Sequence, residues 1–404
     1  MTGRSRLQRL SAEAGFTIVE MLIATIIMMA VTGAVFQVMN PSQGLYQAQP
    51  EMSDMQQRLR VGVDSIAKDL VMAGAGTYVG AAGGPLTNYF APIMPYKSGD
   101  PAQGIFFRDD AISILYVPPT PSQTTIAAPM PPQSSEIKVN PQPNCPGGAQ
   151  NQLCGFDVGM RLVIFDTSGN WDVFTVTQVQ DAAGHLQHRN QDFTIGYAAG
   201  SMVSQVKQAG YFLKTDLGSK TFQLMFDDGW GAEMPVVDNV VALRFEYFGE
   251  PNPPTLLPGK CLTAGCPGPY TTYGPKPPAL GNPSGTTWPA GENCAFLVDK
   301  ATNMHAPRLA NLAGGGVAQV PLPKAMLTDG PWCPDGTKSN RYDADLLRIR
   351  RVRVHLRVQV ASEALRGPAG LLFTRGGTST GGTRFVPDQE VKFDIAPRNL
   401  NLGR

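Results

Sequence analysis

A chain of 404 residues, 42% apolar and 16% charged, is long enough for one large or two ordinary domains, each with a buried core. Its 44 glycines and 35 prolines point to a loop-rich, mainly β body. The formal net charge is +1, and the body stays near neutral without Arg4, Arg6, Arg9 and Glu13 of the first fifteen residues, so bulk charge supplies no attraction to nucleic acid or to an anionic surface.

The chain opens with MTGRSRLQRLSAEAG, which holds three arginines. Residues 16–39, FTIVEMLIATIIMMAVTGAVFQVM, follow and are apolar except at Thr17, Glu20, Thr25, Thr32 and Gln37. As a helix at about 1.5 Å per residue this run spans about 36 Å, enough for a hydrocarbon core of about 30 Å. The arginines before it place residues 1–15 in the cytoplasm and send the carboxyl end outward. A secretory signal carries its small-residue cleavage site after the apolar core; here Ala14 and Gly15 precede it. Glu20 is the second anomaly, because an ionisable group inside a membrane span costs about 3 kcal/mol and marks function.

Asn40, Pro41, Gly44 and Pro50 predict a kink or break around residues 40–50. Helical spacing then returns, with Met52, Met55, Leu59, Gly62 or Val63, Ile66, Leu70 and Ala73 on one stripe. Asp54, Arg58, Lys68 and Asp69 are expected outside that stripe, and Gly74 suits the helix end.

Beyond residue 75 the pattern is of strands separated by long loops. Strands are predicted at 110–117, as a hairpin within 161–179 around Ser168-Gly169-Asn170, at 209–216 and 220–229, at 240–247, at 346–360 and at 391–395. In the longest of these, Val352, Val354, Leu356, Val358 and Val360 share one face, and Arg351, Arg353, His355, Arg357 and Gln359 share the other. The alternation slips at Arg350-Arg351, the mark of a β-bulge. Two Pro-rich stretches, 118–147 and 251–290, read as surface insertions that sustain no sheet pairing.

Cys145, Cys154, Cys261, Cys266, Cys294 and Cys333 all lie in Gly/Pro-rich stretches, without a Cys-x-x-Cys pair or a nearby histidine. An even number in loops fits structural disulfides in an oxidising compartment better than zinc, and the short-range pairs 145–154, 261–266 and 294–333 are favoured. Other candidate chemistry is thin. His185 and His188 have only Asp181 near them in sequence, too few ligands for a metal. Asp227-Asp228 and the run Asp166 to Asp172 sit at turns and do not match a calcium loop. The arginines from Arg348 to Arg357 fit the wet face of an antiparallel strand better than a nucleic-acid surface. With no nucleophile, Walker or zincin spacing, no cofactor or enzymatic role is expected.

Gly15-Phe16-Thr17-Ile18-Val19-Glu20 resembles the processing site of type IV prepilins and type II secretion pseudopilins. The resemblance implies cleavage after Gly15 by prepilin peptidase, N-methylation of the new terminus at Phe16, and a filament-assembly role for Glu20, whose carboxylate neutralises the terminal amine of a neighbouring subunit. The layout further resembles PilW-type minor pilins, and more distantly J-type pseudopilins, in DLVMAGAG, in DAISILYV, in Asn239-Val240-Val241-Ala242-Leu243 to Tyr247, and in Arg398-Asn399 near the end. It implies an α+β fold: leader 1–15, transmembrane and filament-core helix 16–39, helix extension 40–74, and a β-rich pilin-like body over 75–404. It also implies a single inner-membrane span with the body in the periplasm, later displayed on the pilus. The implied partners are the peptidase, other minor pilins, the major pilin and the inner-membrane assembly platform. Two other readings stay open: a minor pseudopilin at the tip of a type II secretion filament, and a tip adhesin or DNA-binding module using the Pro-rich loops or the arginine strand.

Overall fold

The computed structural model describes residues 15–77, 85–97, 106–142, 145, 151–189, 191–216, 221–257, 270–283, 285–313, 318–362, 365–366 and 386–401, with backbone alone for 40–47, 216, 221 and 270. The fold is α+β: one amino-terminal apolar helix and a mostly antiparallel β body.

The helix α1, Ile18–Met72, has 55 residues and passes through Pro41 and Pro50 without a break. The break expected at 40–50 is therefore absent. Each proline removes a single intrahelical hydrogen bond, and the intact turns on either side hold the helical path. The first part of α1 touches nothing: every residue from 18 to 39 is exposed. The last part packs on the body through Met55, Gly62, Ile66, Leu70 and Ala73, with Leu59 and Val63 half-buried. Two positions depart from the expected stripe. Met52 is 39% exposed, and Asp69 is buried. Asp69 lies three residues after Ile66 and four before Ala73, so helical geometry puts it in the stripe whatever its polarity.

Two sheets receive the helix. The first has five antiparallel strands in the order Ile93–Met94, Ala111–Tyr116, Lys207–Asp216, Thr221–Asp227 and Glu233–Asp238. The second has four, in the order Val320–Leu322, Val240–Gly249, Ile349–Val358 and Gln389–Ile395. A single residue, Asn239, carries the chain from one sheet to the other at φ 59°, a left-handed conformation that asparagine tolerates. The helix meets both sheets at Gly62. A Cβ there would lie 2.8 Å from Leu356 Cδ2, 3.5 Å from Leu224 Cδ2 and 3.6 Å from Val237 Cγ2. Gly62→Ala meets chiefly one flexible leucine tip and should be tolerated. Gly62→Leu has no such room and is expected to lower stability by about 1–3 kcal/mol in chemical unfolding of the extracted chain.

In Ile349–Val358 the alternation holds: Val352, Val354, Leu356 and Val358 are buried and the residues between them half-exposed. The register against Val240–Gly249 shifts where Arg351 faces Phe248 and Ile349 faces Gly249, which leaves Arg350 as the extra residue of a bulge. The bulge turns Arg350 inward, and Gln359, expected on the wet face, is also fully buried.

The stretch 118–147 is not a bare surface insertion. Gln123–Thr125 pairs with Met202–Gln205, and Glu136–Lys138 pairs with His185–Gln187. The prolines fall between these three-residue strands and so never occupy a paired position. Residues 118–206 together form a unit with a second apolar cluster, including Ile137, Leu162, Ile164, Phe174, Leu186 and Val203. The unit leaves and rejoins the five-stranded sheet at neighbouring strands, where Tyr116 pairs with Lys207. The stretch 251–290 is likewise partly built in. Leu256–Leu257 pairs with Tyr270–Thr271, and the buried Tyr273 donates from its hydroxyl to Asn252 O at 2.7 Å.

Cys145 is bonded to Cys154 and Cys294 to Cys333. Cys294 and Cys333 are both buried within the main core, so this bridge supplements apolar packing instead of replacing it. Cys261 and Cys266 lie outside the described residues.

Candidate functional site

The amino-terminal end of α1 begins with an unsatisfied-donor problem, since the first turn of any helix has N–H groups without partners. Thr17 and Glu20 solve it together. The Thr17 hydroxyl accepts from Glu20 N at 3.3 Å, and Thr17 N and Oγ1 both donate to Glu20 Oε2 at 2.9 Å. This is a capping box, signalled in sequence by threonine followed three residues later by glutamate. Glu20 therefore has a local partner as well as its place in the prepilin-like motif. Further along, Thr25 Oγ1 donates to Met21 O at 3.0 Å and Leu22 O at 2.9 Å, so its polarity is satisfied within the helix.

Phe16 is 87% exposed, and Gly15 has open space around its Cα. Residues 1–14 lie outside the described residues. From Ile18 to Met39 the helix is long and apolar enough to cross a membrane, with none of it buried against the body. Soluble monomers rarely expose apolar area on this scale, so the segment needs lipid or protein around it.

Near its carboxyl end α1 is fastened to the body by Asp69. Tyr116 OH donates to Oδ1 at 2.8 Å, Tyr211 OH approaches Oδ2 at 2.7 Å and Ser65 O at 2.8 Å, and Lys207 Nζ lies 3.1 Å from Oδ1. Burial pushes the Tyr116 phenol up to about 12. Burial also pulls Lys207 down, but its bonds to Tyr116 and Asp69 outweigh that and hold the ammonium above its ordinary value.

The arginine strand is matched by carboxylates on both neighbours. Arg353 Nε lies 2.7 Å from Asp394 Oδ1, Arg351 Nη1 3.2 Å from Asp394 Oδ2, and Arg357 Nε 3.6 Å from Asp388 Oδ2. His355 faces Glu246 at 3.5 Å. Arg351 and Arg353 also stack on Phe248, at 4.1 and 5.1 Å. Arg348 is fully buried. Its Nε pairs with Asp345 Oδ1 at 2.5 Å, its Nη1 donates to Glu250 O at 3.1 Å, and its Nη2 donates to Ala310 O. Arg350 donates to Leu347 O at 2.9 Å and Ile349 O at 2.8 Å, and burial lowers it to about 10.

The acidic turns serve the fold. Asp166 Oδ1 accepts from Ser168 N at 2.8 Å and Asn170 N at 3.1 Å, and Asp227 Oδ1 accepts from Gly229 N at 2.9 Å. Asp181 accepts from Gln152 N and Leu153 N at 2.9 and 2.8 Å, while His185 faces Glu136 instead. His188 is buried. Sequence reading missed one cluster: Asp329, Asp343 and Asp345 bring carboxylate oxygens within 4.8 Å of one another. Asp343 and Asp345 flank one residue at the start of a short helical turn, and Asp329 comes from the loop before it. Asp345 is taken by Arg348, and Asp343 accepts from Gly330 N at 2.7 Å and Asp345 N at 2.9 Å. Burial pushes Asp343 up to about 7. Asp343 also lines a pocket of about 300 Å³ with Tyr96, Phe106, Phe107, Lys324 and Trp332.

No protein-family model, curated protein or solved structure matches the chain.

Proposed function

We propose that the chain is a minor pilin-like structural subunit, anchored by residues 16–39 in the inner membrane and helping to initiate or cap a type IV pilus. The observation that carries this reading is the bare apolar helix from Ile18 to Met39, which continues unbroken into a helix packed on a β body. It stands directly after Gly15-Phe16 and bears Glu20 in its first turn. In this reading prepilin peptidase removes residues 1–15 and methylates Phe16. Glu20 then neutralises the terminal amine of a neighbouring subunit, two charges that lipid tolerates only as a pair. The platform, the major pilin and other minor pilins are the partners. A pseudopilin of a type II secretion filament would use the same segment. The DNA-binding reading is weakened by the carboxylates that occupy Arg351, Arg353 and Arg357.

Intact-mass measurement and amino-terminal sequencing of the membrane-extracted chain, with and without a co-expressed prepilin peptidase, test the proposal. The expected product begins at N-methylated Phe16 and forms only with the peptidase. A chain that keeps residues 1–15 beside an active peptidase would remove the pilin reading and leave a single-span anchored β protein.

A further inference from the structure

Residues 118–206 have a second core of their own on one face of their strands, while Val163, Phe165, Trp171 and Met202 on the other face join the main core; the second core can therefore loosen while the five-stranded sheet keeps its pairing. His188 lies inside that core. It is 2% exposed, its ring sits 4.6 Å from Phe193 and 5.5 Å from Phe174, and neither Nδ1 nor Nε2 has a hydrogen-bond partner. Its backbone N donates to Ser135 O at 2.9 Å. A neutral imidazole is a flat ring that an aromatic nest tolerates. An imidazolium there would bury a full charge against aromatic rings, a far larger cost.

We propose that His188 is an acid-sensitive latch: its protonation loosens the core of residues 118–206 while α1 and the two body sheets hold.

The groups facing the ring divide in sign. Burial disfavours the imidazolium, whereas the carbonyls of Ser134 and Gln191 and the Asp192 carboxylate favour it; burial wins, and His188 is held below its ordinary value. The unfolded chain therefore takes up this proton first, and stability falls as the pH drops below about 6.5. On the far side of Phe193, Tyr197 OH donates to Asp172 Oδ2 at 2.9 Å, and burial pushes Asp172 up to about 6. That carboxyl acts in the opposite sense: its stabilisation is present in acid and lost as the pH rises through about 6. The His185–Glu136 pair, at 3.5 Å, sits on the polar face of the same unit.

Hydrogen exchange of the full chain in detergent at pH 5, 6 and 7, corrected for intrinsic rates, reads the latch directly. Because Asp172 pulls the opposite way, the latch is read as a ratio: opening within 118–206 of the wild type, relative to His188→Phe, is expected to grow by up to about tenfold per pH unit below 6.5, while 240–249 and 349–358 stay protected. His188→Phe and the more polar His188→Gln should both show the Asp172 trend unmasked, with protection greater at pH 5 than at pH 7, whereas the wild type stays nearly level or opens in acid. Acid opening that is unchanged in both variants, or that spreads evenly over the body, overturns the proposal. So does an NMR titration of the wild-type ring with a midpoint at or above 6.5, a measurement that does not depend on either variant folding.

Discussion

Arg348→Ala is expected to cost about 3–5 kcal/mol, the range for breaking a buried ion pair by removing one partner. The side chain is fully buried and reaches three separate segments at once: Asp345 beside it, the Glu250 carbonyl at the end of the long central strand, and the Ala310 carbonyl. Alanine leaves a cavity, two carbonyls without donors and an Asp345 carboxylate without its cation. Burial already raises Asp345, and the guanidinium opposes that rise; without it the carboxyl will take up a proton more readily. Arg348→Met restores much of the volume and none of the hydrogen bonds. If packing dominated, methionine would recover most of the loss; the geometry predicts that it recovers the minor part. Urea unfolding of the extracted protein gives the magnitude, and early proteolytic cuts near 250 and 310 would show which anchors failed.

Asp69→Ala is expected to cost about 3 kcal/mol and to weaken the seat of α1 on the first sheet. The loss comes chiefly from stranding Tyr116 OH, at about 1–3 kcal/mol for a buried unsatisfied group. Tyr211 keeps Ser65 O as an acceptor, and the half-exposed Lys207 contributes little because water screens it. Asp69→Asn retains an acceptor oxygen and should recover about half of the loss. Equal unfolding midpoints for the alanine variant and the wild type would mean that the helix is held by its apolar stripe alone.

The legible parts of this fold are those where one period runs long enough to be read. The apolar run 16–39 and the alternation through 352–358 are such cases, and the slip at Arg350 was visible because the surrounding pattern was regular. The unit 118–206 was not legible as a unit. Its strands at 123–125 and 136–138 are three residues long, too short to establish alternation, and their partners lie about 50–80 residues away in sequence. Asp69 was misplaced for a different reason: polarity was allowed to outvote helical position, although Tyr116 and Tyr211 from distant strands make a buried carboxylate tolerable. At the candidate site, Glu20 stood out as a charge in an apolar run and Gly15 by its place before that run, while Phe16 entered only through the resemblance to prepilins; the Thr17–Glu20 cap was present as a four-residue signal overshadowed by the motif that contains it. His188 carried no signal at all, because nothing local distinguishes a buried histidine from one in a solvated turn.

The unbroken course of α1 has a mechanical consequence. A helix of 55 residues is a rod about 82 Å long, with one end free to sit in lipid and the other clamped at Gly62 and Asp69. Moving as one piece, such a rod works as a lever arm. A change of tilt of about 5° at the membrane end would swing the far end by about 7 Å, against a rise of about 1.5 Å per residue. Rotation of the anchor would thus be geared up into displacement of the whole body, and the clamp residues would carry the torque.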